Sequence, residues 1–298
     1  MDAPPDVIVV GDVMVDVAVS AGALKRGGDV HGRVRIRPGG AGANAAAWAA
    51  DAGAQTRLHG RVGDDLPGGL IRRALEERGL DAALAVAAGE PTGAMLVVLE
   101  AGERSMVAGR GANAGLSPED LPGRLRAGAV LVSGYLLFHP GSEPAARAAL
   151  DRADAGLVAI DAASWPLLRE YGPERFAEAT GRATMLLANR HEALALAGRD
   201  PEDPGAADPE TLLGALSARY PIVVLKLGPA GAAASWDGRA LTSTAPAVAE
   251  VDPTGAGDAF DGALLAGLVR GEQPEEALRR ACEAGARAAA SAANWPGA

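Results

Sequence analysis

Residues 252–262, Asp252-Pro253-Thr254-Gly255-Ala256-Gly257-Asp258-Ala259-Phe260-Asp261-Gly262, bring together residue types that could do chemistry. A turn of small residues runs into a segment with Phe260, Leu264 and Leu268 at i, i+4 and i+8, which predicts a helix starting at Gly255 to Gly257. Backbone N–H groups at a helix start lack carbonyl partners and sit at the positive end of the helix dipole. Gly255, Ala256 and Gly257 therefore form a candidate anion hole, and the glycines let a phosphoryl group come close. Asp258 then stands in the first turn, beside the anion. A carboxylate there should have a raised pKa, which suits a base that takes a proton from an attacking hydroxyl while the amides absorb the developing charge. Alone, such an aspartate would be an ordinary helix-start residue; Asp252 and Thr254 upstream set this one apart.

The elements that must hold this turn follow from hydrophobic patterning. Val7–Val10, Met95–Leu99, Val130–Val132, Leu157–Ile160, Met185–Leu187 and Ile222–Leu225 are short apolar runs that read as buried strands. Asn44–Ala54, Gly68–Arg78, Glu143–Ala153, Glu192–Ala197 and Pro209–Arg219 have helical period, as does the Ala-rich stretch Ala281–Ala293 that carries Cys282. Such alternation predicts an α/β fold with a mostly parallel central sheet flanked by helices on both faces. Two segments break the alternation, at about 13–37 and 92–110. Val30 to Arg37 alternates apolar and polar residues like an exposed ribbon, so these segments are expected to form a small β-sheet that serves as a lid or a dimer surface. Pro201–Pro209, acidic and rich in Pro and Gly, reads as a surface loop.

Composition excludes several classes of function. The chain has 298 residues, a formal net charge of −10 and a pI near 5.0, with no basic run, which argues against nucleic acid or an anionic membrane as partner. Aromatics are only 3 % of residues, so base-stacking platforms are scarce. A single cysteine, Cys282, leaves no intramolecular disulfide and reads as a buried structural thiol. The acidic start and the lack of a long apolar run predict a cytoplasmic protein. The four histidines show no metal or triad spacing. No Walker A lysine motif is present, which excludes the P-loop route to phosphate.

The string Asp252-x-Thr254-Gly255-Ala256-Gly257-Asp258 resembles the C-terminal signature of the ribokinase (PfkB) carbohydrate kinase family. Gly39-Gly40-Ala41-Gly42-Ala43-Asn44 resembles its N-terminal signature. The resemblance spans the chain and implies one ribokinase-like domain over residues 1–298, with ATP and Mg²⁺ as co-substrate and cofactor and the β lid over a sugar site. It implies Asp258 as the base, Asp12 and Asp16 beyond the strand Val7–Val10 as substrate contacts, Gly39 and Gly40 as backbone close to the sugar, and Asn44 as a hydrogen-bonding partner of it. Asp16 as a solvated turn residue is the plain alternative, and Met14 departs from the polar residue of ribokinases proper.

Further positions follow from the same resemblance. Asn189-x-x-Glu192 matches an element in which Glu192 holds Mg²⁺ through water and Asn189 lies near the nucleotide; by itself it is a capping box. Lys226, Gly228 and Gly231 match the strand and turn along ATP, with Lys226 either pairing with phosphate or snorkelling to solvent. Arg110 is placed either to hold a substrate carboxylate, as in kinases of 2-keto-3-deoxy sugar acids, or in a lid salt bridge. Tyr135 is placed either to line the sugar pocket or to pack. Asp252 resembles a ligand of the monovalent cation that activates some relatives; residues that help complete that site in ribokinases fall beyond Gly297-Ala298, so K⁺ dependence is left open.

Three other readings compete. Gly40-Ala41-Gly42-Ala43-Asn44-Ala45 could begin a dinucleotide fold, but Arg33, Arg35 and Arg37 spoil the preceding strand and no acidic strand end follows. A sensor that binds sugar or nucleotide without turnover is the rival from another class, and intact Asp258 and Gly-Ala-Gly count against it. Within the fold, the acceptor could be a sugar, a sugar acid or a nucleoside. A homodimer through the lid is the expected assembly.

Overall fold

Strands buried on both faces need apolar side chains at every position, and the run Val7-Ile8-Val9-Val10 meets that demand with all four side chains at 2 % exposure or less. The computed structural model describes residues 3–23, 25–100, 103–203, 205 and 207–297. The tip of the second lid segment at 101–102, and 204 and 206 in the acidic loop, lie outside the described residues. The central sheet contains β1 (Val7–Val10), β4 (Thr56–Gly63), β5 (Asp81–Ala87), β8 (Leu125–Ser133), β9 (Ala153–Asp161), β10 (Met185–Asn189), β11 (Ile222–Lys226), β12 (Ala232–Trp236) and β13 (Arg239–Ser243). Its order is β13-β12-β11-β10-β9-β8-β1-β4-β5, parallel from β5 through β11, with β12 and β13 antiparallel at one edge.

Helices cover both faces. Alternate side chains of β1 feed opposite layers. Val7 and Val9 join the core under α1 (Ala41–Asp51), α2 (Leu66–Glu77), α8 (Ala256–Val269) and α9 (Pro274–Ala289). Ile8 and Val10 join the core under α3 (Glu143–Arg152), α4 (Trp165–Tyr171), α5 (Pro173–Ala179), α6 (Arg190–Leu196) and α7 (Pro209–Ser217). Each fully buried Val, Leu or Ile stabilises by about 1.5–3 kcal/mol. Cys282 is buried in the first layer, as expected. Among the described residues, no helix is long and apolar enough to cross a membrane.

The lid is a second sheet of β2 (Met14–Ala21), β3 (Gly32–Gly39), β6 (Gly93–Glu100) and β7 (Glu103–Gly109), in the order β3-β2-β6-β7. Met95–Leu99, read both as a central strand and as part of the 92–110 lid segment, lies in the lid, which corrects the first reading and agrees with the second. The register explains its apolar run. Asp16, Arg37, Met95 and Ala108 align across the sheet on one face, and Val17, Ile36, Leu96 and Val107 align on the other. That second face is apolar yet exposed, with Val34, Ile36 and Val107 at 59 %, 63 % and 64 %.

Candidate active site

Parallel sheets place ligand contacts beyond the carboxyl ends of their strands, where the strand order changes direction. Here that point lies between β1 and β8, and a cavity of about 590 Å³ opens beside it under the lid. Asp12 follows β1, Tyr135 follows β8, Asp161 ends β9, Asn189 ends β10 and Lys226 ends β11, and all of them line the cavity. Met14, Asp16, Met95, Met106 and Arg110 reach it from the lid side, while Gly255, Gly257 and Asp258 close it from the start of α8.

The helix α8 starts where expected, but Ala256 does not offer its amide to the cavity with Gly255 and Gly257. Gly255 is the N-cap in the left-handed region, φ 79°, where a side chain would be strained, and no side chain caps the helix. The amide of Ala256 is taken by the carbonyl of Pro253 at 3.2 Å, so the groups aimed at the cavity come from its glycine neighbours. Asp258 sits in the first turn with Oδ2 2.8 Å from Asn44 Nδ2. Burial pushes its carboxyl up to about 7; the Asn44 hydrogen bond and Lys226 oppose this, and Asp161 and Asp16 add to it. The expected direction is thus obtained, with burial as its principal cause.

Asn44 is fixed at both ends. Its Nδ2 donates to Asp258 and its Oδ1 accepts from Trp295 Nε1 at 3.0 Å, so its amide orients the aspartate. It rides on α1, whose entry requires the glycines of the N-terminal signature. Gly40 has φ 91°, and a Cβ there would lie 2.5 Å from the Asp12 carbonyl; one on Gly42 would lie 2.6 Å from the backbone of Gly11. Gly39 stands against the Asp16 carboxylate in the same way. These glycines let helix, lid strand and β1 turn touch.

At the lid side of the cavity the carboxylates are already held by partners. Arg110 donates from Nη2 to Asp12 Oδ1 at 2.6 Å and from Nη1 to the Tyr135 carbonyl at 2.7 Å, the salt-bridged alternative of the sequence reading. Burial raises the Asp12 carboxyl in spite of Arg110. Asp16 is 3 % exposed and accepts from Asn294 Nδ2, which excludes a solvated turn; burial raises it too, against that hydrogen bond. Tyr135 both lines the cavity and packs edge-on against Phe138 at 6.4 Å.

At the opposite end, Asn189 and Glu192 form a complete capping box. Glu192 accepts from the Asn189 amide at 2.7 Å and from its Nδ2 at 2.6 Å, and burial with Asp161 nearby brings Glu192 up to about 7. Lys226 does not snorkel. Its Nζ donates to Asp161 at 2.8 Å and to both oxygens of Asp261 at 2.9 and 3.1 Å, with only 13 % of the side chain exposed. Gly228 lines the cavity. Gly231, φ 98°, packs against the Ser243 carbonyl outside it. Asp252 also lies outside and pairs with Arg37 at 2.8 Å. Asp161, Asp261, Asn294 and Arg37 escaped the sequence reading. Asp261 was the findable one, a second carboxylate one turn after Asp258 in an otherwise apolar helix.

Residues 4–293 match the pfkB family of carbohydrate kinases. The chain belongs to that family. A fructokinase of Klebsiella pneumoniae is 31 % identical to this pfkB kinase over 275 residues, covering 87 % of this chain and 83 % of its own length. An ATP-dependent ribose-1-phosphate kinase of Halopiger xanaduensis is 30 % identical over 287 residues, covering 94 % and 90 %. Among solved structures, the adenosine kinase from Sinorhizobium meliloti has the same fold, with a TM-score of 0.87 over 99 % of this chain and 97 % of its own at 24 % identity. The general activity of this pfkB kinase is accordingly ATP-dependent phosphorylation of a carbohydrate, and ATP with Mg²⁺ is typical of the family.

Proposed function

We propose that this kinase transfers the γ-phosphoryl group of ATP to a hydroxyl of an uncharged acceptor with one apolar face, a nucleoside or a neutral sugar, and that Asp258 is the base. The observation that carries the reading is the Asp258 carboxyl itself. It is half-buried at the mouth of the glycine turn, held by Asn44 at 2.8 Å, and has its pKa brought up to about 7, where a carboxylate is both ionised and basic enough to take a proton. Asp258 accepts the proton of the acceptor hydroxyl as that oxygen attacks phosphorus, and the start of α8 stabilises the charge on the transferring group. The Lys226 ammonium adds a positive charge close by, since a Cβ on Gly257 would stand 3.4 Å from Nζ. Asn189, Glu192 and Gly228 line the nucleotide end of the cavity.

Mg²⁺ would neutralise phosphate charge during transfer. Among the described residues no three His, Cys, Asp or Glu side chains converge as a metal cage. Glu192 and Asp161 supply carboxylates at the cavity wall, which fits an ion held mainly by phosphate oxygens and water.

The acceptor class follows from what its end of the cavity has left to offer. Both terminal nitrogens of Arg110 are engaged by Asp12 and the Tyr135 carbonyl, so its charge is already matched before a substrate carboxylate arrives. Met14, Met95, Met106 and Phe138 supply an adaptable apolar wall, while Asp16 and Asp12 accept hydroxyl hydrogens. A coupled ADP-release assay over pentoses, hexoses, keto acids and nucleosides tests this. Nucleosides or neutral sugars should turn over, and a preference for sugar acids would refute the acceptor assignment. Asp258→Asn should lower kcat by about 10²–10⁴; full turnover would remove the base.

The reading extends to pairing of two chains through the lid. It is supported by the apolar outer face of Val17, Val34, Ile36, Leu96 and Val107, an area that water would otherwise wet.

A further inference from the structure

We infer that Arg37 is a built-in cation which takes the place of a monovalent metal ion at Asp252, so that the phosphate-binding turn is ordered by the lid strand and not by K⁺. The inference rests on the kinase reading above and concerns what holds its anion site in shape. Asp252 shapes the approach to that site, because its Oδ1 accepts from the Thr254 amide at 3.0 Å and so bends the chain two residues before Gly255. Its backbone is anchored too, with the Val251 and Asp252 amides both donating to the Ala289 carbonyl at 2.8 and 3.1 Å.

The other carboxylate oxygen, Oδ2, accepts from Arg37 Nη2 at 2.8 Å, and Arg37 Nη1 donates to the carbonyl of Ala292. The Arg37 and Asp252 side chains are 12 % and 7 % exposed, so the pair is largely shielded from solvent. Arg37 is also the register partner of Asp16 across β2 and β3, which places one guanidinium beside two buried carboxylates and a carbonyl. Such a group of oxygens requires a positive charge. A bare ion would use the same Asp252 oxygen and the same Ala292 carbonyl, so ion and guanidinium exclude each other. The residues present therefore do not fit K⁺. Arginine does more than neutralise. Its planar fork fixes direction, and it ties three segments together: the lid strand β3, the turn before α8 and the segment after α9.

The test compares the wild type with Arg37→Ala and Arg37→Lys in K⁺ and in choline, by turnover and by thermal melting. Wild-type kcat and Tm should be the same in both salts. Arg37→Ala in choline should lose about 100-fold in kcat, the scale of an anion site displaced by about 1 Å. Added K⁺ or guanidinium should restore part of that rate and raise its Tm, because the vacated oxygens can now bind an ion. A wild type whose rate or Tm rises with K⁺ would overturn the inference, as would an Arg37→Ala enzyme at full rate in choline. Should Arg37→Ala fail to fold, Arg37→Lys and the wild-type salt comparison still decide. If the wild type phosphorylates no acceptor, the kinase reading fails, and the melting comparison continues to test Arg37.

Discussion

Replacing Lys226 by methionine isolates the charge that holds the base of the cavity together. The methylenes are kept and the ammonium is lost, leaving Asp161 and Asp261, at 11 % and 2 % side-chain exposure, facing each other without a cation. Burial alone would push the Lys226 ammonium down, but attraction by Asp161, Asp261 and Glu192 outweighs it and holds the group well above its usual range, so the lysine is charged at every working pH. Breaking a buried pair by deleting one partner costs about 3–5 kcal/mol, because the remaining charge is stranded. Urea unfolding should show a loss of that size, and adding Asp261→Leu should recover part of it by removing one stranded carboxylate. Lys226 also opposes the rise in the Asp258 pKa. Its removal should therefore move the lower limb of kcat/KM against pH to higher pH, from a wild-type midpoint near 7 set by deprotonation of Asp258. A loss below about 1 kcal/mol, with no recovery in the double variant and an unmoved limb, would refute the reasoning.

Two further outcomes are expected. His59 is buried with neither ring nitrogen hydrogen-bonded, and burial lowers its pKa from 6.5 to about 4, so the folded state binds the proton less well than the unfolded chain. Its contribution is complete above the unfolded value and is lost as pH falls through 6.5 toward 4; titration should cost about 2 kcal/mol by about pH 5, and His59→Leu should flatten that slope in unfolding measurements. An unchanged slope would show that His59 is not the group responsible. Light scattering after gel filtration should give a dimer for the wild type and a monomer for Val34→Glu with Val107→Glu, with Tm little changed; a wild-type monomer would remove the lid interface.

The central strands were legible because burial on both faces leaves an uninterrupted apolar run, as in Val7–Val10 and Ile222–Leu225. β4 was not, since Arg57, His59 and Arg61 break its run even though Leu58 and Val62 are fully buried. β12 and β13 were missed because they form a short antiparallel edge rich in Ala, Ser and Thr. Met95–Leu99 carries the pattern of a two-face-buried strand, but it lies in the lid, where one of its faces meets the cavity and the other is exposed apolar surface. In the site, residues that act within one turn of chain were readable: Gly255 to Asp258, and Asn189 with Glu192. Those that act across the fold were not. Lys226 meets Asp161 at a separation of 65 residues, Arg37 meets Asp252 at 215 and Asn294 meets Asp16 at 278, and no local spacing encodes such pairs.

Those long-range pairs also bear on which carboxylate is proposed as the base. The cavity and its rim carry many carboxylates, and most are matched to a cation: Asp12 to Arg110, Asp252 to Arg37, and Asp161 and Asp261 to Lys226. Each of these cations occupies a carboxylate oxygen, and at Asp12 and Asp261 it opposes, without overcoming, the rise that burial causes. Asp16, Asp258 and Glu192 are different, each held by asparagine amide groups and raised by burial, with Asp258 and Glu192 brought up to about 7. Each oxygen of Glu192 accepts one hydrogen bond within its capping box, which fixes the carboxylate at the cavity wall. Asp258 has one oxygen engaged by Asn44 and stands at the anion turn. Asp258 combines a pKa brought up to about 7 with a place in the first turn of α8, beside the glycine turn. The proposed role of Asp258 rests on that placement together with the burial that raises it.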